Sequence, residues 1–239
     1  MNLVSLQLKT SNNFEKNLQK LKKHILKTPQ NSLILAPELY LNGYAYDRLE
    51  EAVNITNKAI KLLKKLSLDD KIIALTMTTK KNTKYFNTLH IFYQGQIIHT
   101  QSKAKLFVLD DEKKYFTAGD QKDIKIIEIN DIKIATLICF ELRFLELWKQ
   151  IQGADIILVP AMWGKLRKQN YEVLSTALAI SNQCYVVASD SANKNMAKSS
   201  AIITPFGKTI SNDNQKRIVS SFEIKEIQKM RRYLPTEIK

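Results

Sequence analysis

Three polar residues could together carry out nucleophilic chemistry. Glu38, Lys103 and Cys139 each come directly after an apolar, strand-like run. A thiol needs a base before it can act as a nucleophile, and a carboxylate can be that base. A lysine ammonium next to them could stabilise the negative charge of a tetrahedral intermediate. In layered α/β proteins the ligand crevice lies outside the carboxyl ends of strands, so we expect the three side chains to converge there.

Each of these residues also has a simpler structural explanation. A cysteine in an apolar strand is usually an inert small hydrophobic residue, and Cys184 keeps that interpretation. Lys103 is one of 31 lysines, and most lysines are solvated surface residues. Cys139 differs from Cys184 because a helical pattern begins soon after it, at Phe144. A thiol at a strand-to-helix turn faces free backbone N–H groups, which would lower its pKa and could hold an oxyanion.

The glycines and histidines exclude several familiar kinds of site. None of the six glycines lies within ten positions of another, whereas the dinucleotide fingerprint, the phosphate-binding P-loop and the G-x-S-x-G elbow all need clustered glycines. The three histidines, His24, His90 and His99, lack the spacing of metal ligands. We therefore expect no metal and no nucleotide.

The chain is strongly basic, with 37 Lys and Arg against 23 Asp and Glu and a formal net charge of +14. Such a charge superficially suggests a nucleic-acid partner. However, a helical pattern over Asn12–Lys27 places its lysines around an apolar stripe, as in a helix with a solvated face. No stretch interleaves basic residues with aromatic ones. We expect no specific nucleic-acid binding, with weak salt-dependent association as the open alternative.

Cysteine content and hydropathy bear on the compartment. Two cysteines make no disulfide framework, and the N-terminus has no basic segment or cleavage site typical of a secretory signal. The longest apolar runs are about eight residues, against the roughly 18 needed to span a bilayer. We expect a cytoplasmic protein without membrane contact.

The hydrophobic pattern predicts an α/β domain over residues 1–239. Strands are predicted at Asn2–Leu8, Ser32–Ala36, Lys71–Met77, His90–Tyr93, Ile97–Thr100, Ile124–Ile129, Lys133–Cys139, Asp155–Val159, Tyr185–Ala188 and Ala201–Ile203. Helices are predicted at Asn12–Lys27, Leu49–Leu66, Phe144–Ile151, Gln169–Ser181 and Ile224–Arg232. Turn signals at Gln94–Gly95, Asn130–Asp131 and Phe206–Gly207 pair neighbouring strands as hairpins. Hairpins combined with strand–helix alternation indicate mixed sheets flanked by helices.

Six segments resemble, in order and spacing, the signature blocks of the nitrilase, or carbon–nitrogen hydrolase, superfamily. They are Leu35–Tyr44, Ser102–Phe107, Glu112–Gly119, Leu137–Phe144, Asp155–Trp163 and Ser200–Gly207. One block alone would be weak evidence, whereas six in register extend the resemblance over nearly the whole chain.

The resemblance implies a four-layer αββα sandwich that forms a homodimer or a higher homo-oligomer. It implies that Cys139 is the nucleophile, Glu38 the general base and Lys103 the group that stabilises the oxyanion, together with the backbone N–H of Phe140. Glu112 would be an accessory carboxylate that orients Lys103 and assists proton transfer to the departing amine. A thioester would form and then be hydrolysed, with no cofactor involved.

The chain departs from the superfamily pattern at several positions. Lys105 replaces a common His, and Leu145 stands where Pro is common. Leu178 and Ser181 replace a frequent Arg and Glu, a loss that could alter the support of their helix or the dimer face. Lys198 replaces a frequent Gly.

The segment Cys139–Phe144 is similar to that of the omega-amidase and related short amidase branch, since true nitrilases usually carry Trp where Phe140 stands. The resemblance therefore implies a small-molecule amide substrate, in particular an ω-monoamide of a dicarboxylic acid. Arg143 and Lys105 are candidates to bind its carboxylate, and surface pairing is the equal alternative for each. Met162 and Trp163 are candidate pocket residues. The alternatives are an N-carbamoyl amine or amino-acid hydrolase and, less favoured, a non-catalytic basic binding scaffold.

Overall fold

Two six-stranded sheets make up the centre of the molecule in a computed structural model that describes residues 1–236. The strands are β1 (Asn2–Leu6), β2 (Ser32–Leu35), β3 (Lys71–Lys81), β4 (Lys84–Tyr93), β5 (Gln96–Ser102), β6 (Ile127–Ile129), β7 (Ile132–Thr136), β8 (Ile156–Ala161), β9 (Tyr185–Asp190), β10 (Ala201–Ile203), β11 (Thr209–Ser211) and β12 (Arg217–Ser221). The helices are α1 (Phe14–Leu26), α2 (Leu49–Leu66), α3 (Glu112–Tyr115), α4 (Leu145–Gln150), α5 (Lys168–Ser181) and α6 (Ile224–Tyr233).

The two sheets have matching internal arrangements. The first has the order β12-β1-β2-β3-β4-β5, in which β1, β2 and β3 run parallel and the remaining pairs are antiparallel. The second has the order β11-β10-β9-β8-β7-β6, in which β7, β8 and β9 run parallel. Helices α1 and α2 connect the parallel strands of the first sheet, and α4 and α5 connect those of the second.

Residue alternation along the strands creates the layers. Leu3 and Leu33 belong to the core between the two sheets, whereas their chain neighbours Val4 and Ile34 pack in a separate core with α1 and α2. Successive strand side chains point to opposite faces, so a strand buried on both faces is mostly apolar. The result is the predicted four-layer αββα sandwich of two mixed sheets, and the fold prediction is confirmed.

Buried hydroxyl groups tie the two sheets together. The Ser5 hydroxyl donates to the carbonyl of Ala188 in the opposite sheet, and the Ser189 hydroxyl donates to the carbonyl of Leu6. These polar groups lie within the core, where an unpaired hydroxyl would cost stability.

All ten predicted strands and all five predicted helices are present, with shifted ends. The three predicted hairpin turns are also confirmed, since Asn130–Asp131 joins β6 to β7 and the other two join β4 to β5 and β10 to β11. The predicted strand over 133–139 was too long, because the chain leaves the sheet at Thr136 and forms a 3₁₀ turn over Cys139–Arg143. Two strands, β11 and β12, and the short helix α3 were not predicted.

No helix among residues 1–236 is both long and apolar enough to cross a membrane. The last three residues of the predicted domain, 237–239, lie outside the described part of the chain.

Candidate active site

The three residues singled out by their chemistry meet at the carboxyl ends of their strands. Glu38 follows β2 and Lys103 follows β5, both in the first sheet, and Cys139 follows β7 in the second sheet. The Lys103 ammonium donates to Glu38 Oε1 over 2.9 Å. Glu38 and Lys103 are each 1% exposed and Cys139 is 8% exposed, so their charges interact with little solvent screening.

Lys103 is held between two carboxylates. Its Nζ lies 2.9 Å from both oxygens of Glu112 as well as from Glu38, and 3.2 Å from the Tyr44 hydroxyl. Burial opposes the charge on this ammonium, but the negative charges of Glu38 and Glu112 outweigh it, and the pKa of Lys103 is above its usual range. Lys103 therefore stays charged.

Glu112 is placed by the short helix α3, which the sequence did not predict. Besides Lys103 it accepts from the backbone N–H of Phe107 over 2.5 Å and from the Tyr44 hydroxyl over 3.1 Å. Burial raises the pKa of Glu112, opposed by the charge of Lys103 and reinforced by that of Glu38.

The two oxygens of Glu38 have different surroundings. Oε1 accepts from Lys103 and from the Asn87 side-chain amide, each over 2.9 Å. Oε2 is buried and has no hydrogen-bond partner among the described residues. One oxygen is thus fixed by the protein, and the other remains available as a proton acceptor.

Cys139 has an unusual backbone conformation. Its φ is +52°, in the left-handed region that residues other than glycine adopt only at a cost of roughly 1–2 kcal/mol. Burial and the Glu38 charge raise the pKa of the thiol well above its usual range, despite the opposing Lys103 charge and a hydrogen bond from the Met162 N–H. The sequence-based expectation of a lowered pKa was therefore wrong, because the turn is buried against a carboxylate.

Eight of the nine predicted site residues line one cavity of about 260 Å³. The eight are Glu38, Lys103, Glu112, Cys139, Phe140, Arg143, Met162 and Trp163, and the other lining residues are Tyr44, Tyr46, Phe107, Asp110, Arg167 and Met196. Aromatic side chains form much of the wall. The Phe140 ring packs edge-to-face on Phe107 with centroids 5.0 Å apart, and the buried Trp163 donates from Nε1 to the Arg167 carbonyl over 2.8 Å.

Two guanidinium groups, those of Arg143 and Arg167, also line the cavity. Arg143 lies over the Trp163 ring, 5.4 Å from its centroid, and donates to the Asn170 side chain. Arg167 lies 5.1 Å from the centroid of Phe107. Neither arginine forms an ion pair with any residue in the range 1–236.

Lys105, the second predicted carboxylate ligand, does not line the cavity. Its ammonium pairs with Glu146 over 3.2 Å and lies over the Phe144 ring. The surface-pairing alternative is therefore the one that the structure favours for Lys105.

Several residues that support the site were missed. Tyr44 lies in the Leu35–Tyr44 block. Asn87 is inside β4 and Asp190 is the last residue of β9, so only strand pairing places them next to Glu38 and to the backbone of Trp163. Asp190 accepts from the backbone N–H of Trp163 over 2.8 Å and of Ser199 over 3.3 Å. Burial raises the pKa of Asp190 to about 7.

The departures from the superfamily pattern lie outside the cavity. Leu178 is fully buried in the core beneath α5, whereas Ser181 and Leu145 are exposed. Lys198 adopts φ +56°, which explains why glycine suits this position.

Comparisons with known proteins show the family and the fold of this chain. The sequence model of the carbon-nitrogen hydrolase family matches residues 3–232. The chain is 29% identical over 232 residues to a 2-oxoglutaramate amidase of Bacillus subtilis, covering 92% of this chain and 89% of that protein. It is 26% identical over 183 residues to the omega-amidase YafV of Escherichia coli K12, covering 74% and 71%. Saccharomyces cerevisiae Nit3, a member of the nitrilase superfamily, has a similar fold, with a TM-score of 0.87, 22% identity and coverage of 99% of this chain and 94% of that one.

Proposed function

The chain belongs to the carbon–nitrogen hydrolase family and is a hydrolase of the amidase kind, and from this premise we propose that it hydrolyses the primary amide of a small ω-monoamide through a thioester on Cys139. The observation that carries the proposal is the placement of Glu38, Lys103 and Cys139 in one cavity, with Lys103 bonded to Glu38. These are the base, the oxyanion-stabilising cation and the nucleophile that such a reaction needs.

The first step is the attack of the Cys139 thiol on the amide carbon. Because its pKa is raised, the thiol is protonated at rest and must lose its proton as the S–C bond forms. Glu38 Oε2, which has no protein donor among residues 1–236, takes that proton. Oε1 remains bound to Lys103, so the base keeps its orientation.

The tetrahedral intermediate carries a negative charge on the former carbonyl oxygen. Lys103 and the backbone N–H of Phe140 stabilise this charge. Glu112 orients the ammonium and assists proton transfer to the departing nitrogen. The C–N bond then breaks, ammonia leaves with the proton held by Glu38, and the acyl group remains on sulfur.

Water completes the cycle. Glu38 accepts a proton from the water as the water oxygen attacks the thioester carbon. The C–S bond then breaks and a carboxylic acid is released. The Cys139 sulfur leaves as a thiolate and recovers the proton from Glu38. The net reaction is amide plus water to carboxylic acid and ammonia.

The substrate class follows from the cavity. A volume of about 260 Å³ suits a molecule of a few carbons. Arg143 and Arg167 bring two guanidinium groups without acidic partners among residues 1–236, and guanidinium binds carboxylate strongly. The relatives named as 2-oxoglutaramate amidase and omega-amidase support an amide with a free carboxylate at its other end.

We also propose that the protein is a homodimer joined through α5. Val173 and Ile180 are exposed on this helix at 58% and 43%. The turn at Phe206–Gly207 packs close to Ile180, so the exposed Phe206 continues the apolar surface. Analytical ultracentrifugation tests this proposal. Val173→Glu should shift the protein to monomers, and a monomeric wild type would contradict the proposal.

Ammonia release from a substrate panel tests the proposed reaction. The panel contains short ω-monoamides, simple aliphatic amides, nitriles and N-carbamoyl amines. Cys139→Ala should abolish release, whereas Cys184→Ala, the matched loss of a buried thiol away from the cavity, should retain it. Turnover by the Cys139 variant would overturn the mechanism. Carbon dioxide released with ammonia would identify a carbamoyl hydrolase instead, and no turnover with an unreactive Cys139 would favour a binding scaffold.

A further inference from the structure

A buried carboxylate connects the lysine segment to the cysteine segment. Glu141 is fully buried, two residues after Cys139. Its Oε1 accepts from the backbone N–H of Ala104 over 2.6 Å, and its Oε2 accepts from the backbone N–H of Ile138 over 2.7 Å. Ala104 follows Lys103 and Ile138 precedes Cys139, so the Glu141 carboxylate fixes the backbone next to both of these residues.

This connection is significant because the sheets themselves do not provide it. Lys103 follows β5, an edge strand of the first sheet, and Cys139 follows β7 in the second. No ladder of backbone hydrogen bonds joins these two strands, and Gln101 donating to the Thr136 carbonyl bridges them before the site is reached. The left-handed φ of Cys139 also persists only where its surroundings enforce it.

Packing alone does not account for a carboxylate at this position. Glu141 forms no ion pair with any of the described residues, and burying an unpaired charge costs stability. Burial raises the pKa of Glu141 to about 7, although the backbone N–H groups that donate to its carboxylate act in the opposite direction. An apolar side chain would avoid this cost but would leave two buried N–H groups without an acceptor.

We propose that Glu141 is a positioning residue that sets the placement of the Cys139 thiol relative to the Lys103 ammonium. Glu141 acts through the backbone on either side of the cavity and does not touch the substrate. The inference rests on the proposed function only where amide hydrolysis is the measurement. The alkylation rate of Cys139 reports the placement of the thiol whether or not the protein hydrolyses amides.

The primary test is Glu141→Gln, which keeps the length of the side chain but turns one acceptor into a donor. We expect kcat to fall by about 10²-fold with KM changed less than about threefold, because the loss affects transition-state geometry more than binding. The rate of Cys139 alkylation by iodoacetamide should fall by about tenfold or more.

The matched control is Asp155→Asn. Asp155 is another buried carboxylate that accepts from a backbone N–H, that of Lys133 over 2.9 Å, and it lies outside the cavity. The Asp155→Asn variant should be less stable than wild type, but its kcat and its rate of Cys139 alkylation should stay within about twofold of wild type. Equal losses of kcat in both variants would reduce Glu141 to a general structural role and overturn the proposal.

A second variant covers the case in which Glu141→Gln does not fold. Glu141→Asp keeps both acceptor oxygens on a side chain one methylene shorter, so we expect a folded protein with kcat reduced about tenfold. A folded Asp or Gln variant with wild-type kcat and wild-type alkylation overturns the inference. If the wild type hydrolyses no amide, the proposed function fails, while slower Cys139 alkylation in Glu141→Gln still supports the positioning role.

Discussion

The Lys103 ammonium lies 2.9 Å from both oxygens of Glu112, while its third close partner is the catalytic candidate Glu38. Two buried carboxylates thus share one buried cation. The three charged groups depend on one another, because the two carboxylates would repel each other without the ammonium between them. This interdependence gives distinct expectations for removing the cation and for removing the accessory anion.

Lys103→Met should abolish hydrolysis and also destabilise the fold. Glu38 and Glu112 would remain buried without a cation, and breaking a buried ion pair by removing one partner costs about 3–5 kcal/mol. Urea unfolding at neutral pH measures this loss, which should shrink as the pH is lowered and the carboxyls become protonated. A variant as stable as wild type would show that the carboxylates do not depend on Lys103.

Glu112→Gln should reduce kcat while leaving the protein folded. The amide presents only one acceptor to an ammonium that now contacts both carboxylate oxygens, so Lys103 would no longer be held toward the substrate. We expect kcat to fall by about 10²-fold, comparable to the loss of one oxyanion donor. Steady-state kinetics on the best ω-monoamide provide the measurement, and unchanged kcat would assign Glu112 a purely structural role.

Much of this site was predictable because its members follow strands. Glu38, Lys103 and Cys139 each come at the end of an apolar run, and the ends of such runs meet at one edge of a layered fold. The contribution of Asn87 was not predictable from the sequence alone. It lies inside β4, and only the pairing register of that strand brings its amide to Glu38.

The residues whose role the sequence left open, and the elements that it missed, are placed by tertiary contacts. Lys105 is two positions after Lys103 in a segment without strand geometry, so its charge is directed to Glu146. Arg167 lines the cavity with its guanidinium packed on Phe107, sixty positions earlier in the chain. The strand over 217–221 carries a weak apolar pattern and is stabilised by pairing with β1 near the opposite end of the chain.

Asp190→Asn should have a stability cost that depends on pH. Burial raises the pKa of Asp190 to about 7, so the folded protein retains a proton that the unfolded chain releases near pH 4. The contribution of protonated Asp190 to the free energy of unfolding is fully present below the pKa of the unfolded chain and is lost as the pH rises through about 7. Because asparagine is neutral throughout, the difference in unfolding free energy between wild type and variant should fall by about 1–3 kcal/mol between pH 5 and 8. A pH-independent difference would contradict the raised pKa.

Lys198→Gly should stabilise the protein. The lysine adopts φ +56°, which glycine adopts without steric cost, and the expected gain is about 0.5–1 kcal/mol after the greater freedom of the unfolded chain is deducted. Lys194→Gly is the matched control, since it removes a nearby lysine whose φ is not positive. Thermal unfolding of the two variants should move in opposite directions, and a destabilised Lys198 variant would show that the lysine side chain makes a compensating contact.

Arg143→Met and Arg167→Met should each change substrate preference more than catalysis itself. Both guanidinium groups line the cavity without an acidic partner among residues 1–236, so the carboxylate of the proposed substrate would be their counter-ion. We expect kcat/KM for an ω-monoamide to fall by about 10- to 10²-fold, the loss of one charge-assisted contact, while kcat/KM for an uncharged amide of equal length stays within about threefold of wild type. Lys105→Met removes the same charge at a site paired with Glu146 and should leave the ratio of the two substrates unchanged. If both arginine variants keep the wild-type ratio, the carboxylate is bound elsewhere or the substrate has none, while the proposed thioester chemistry would still stand on the uncharged amide.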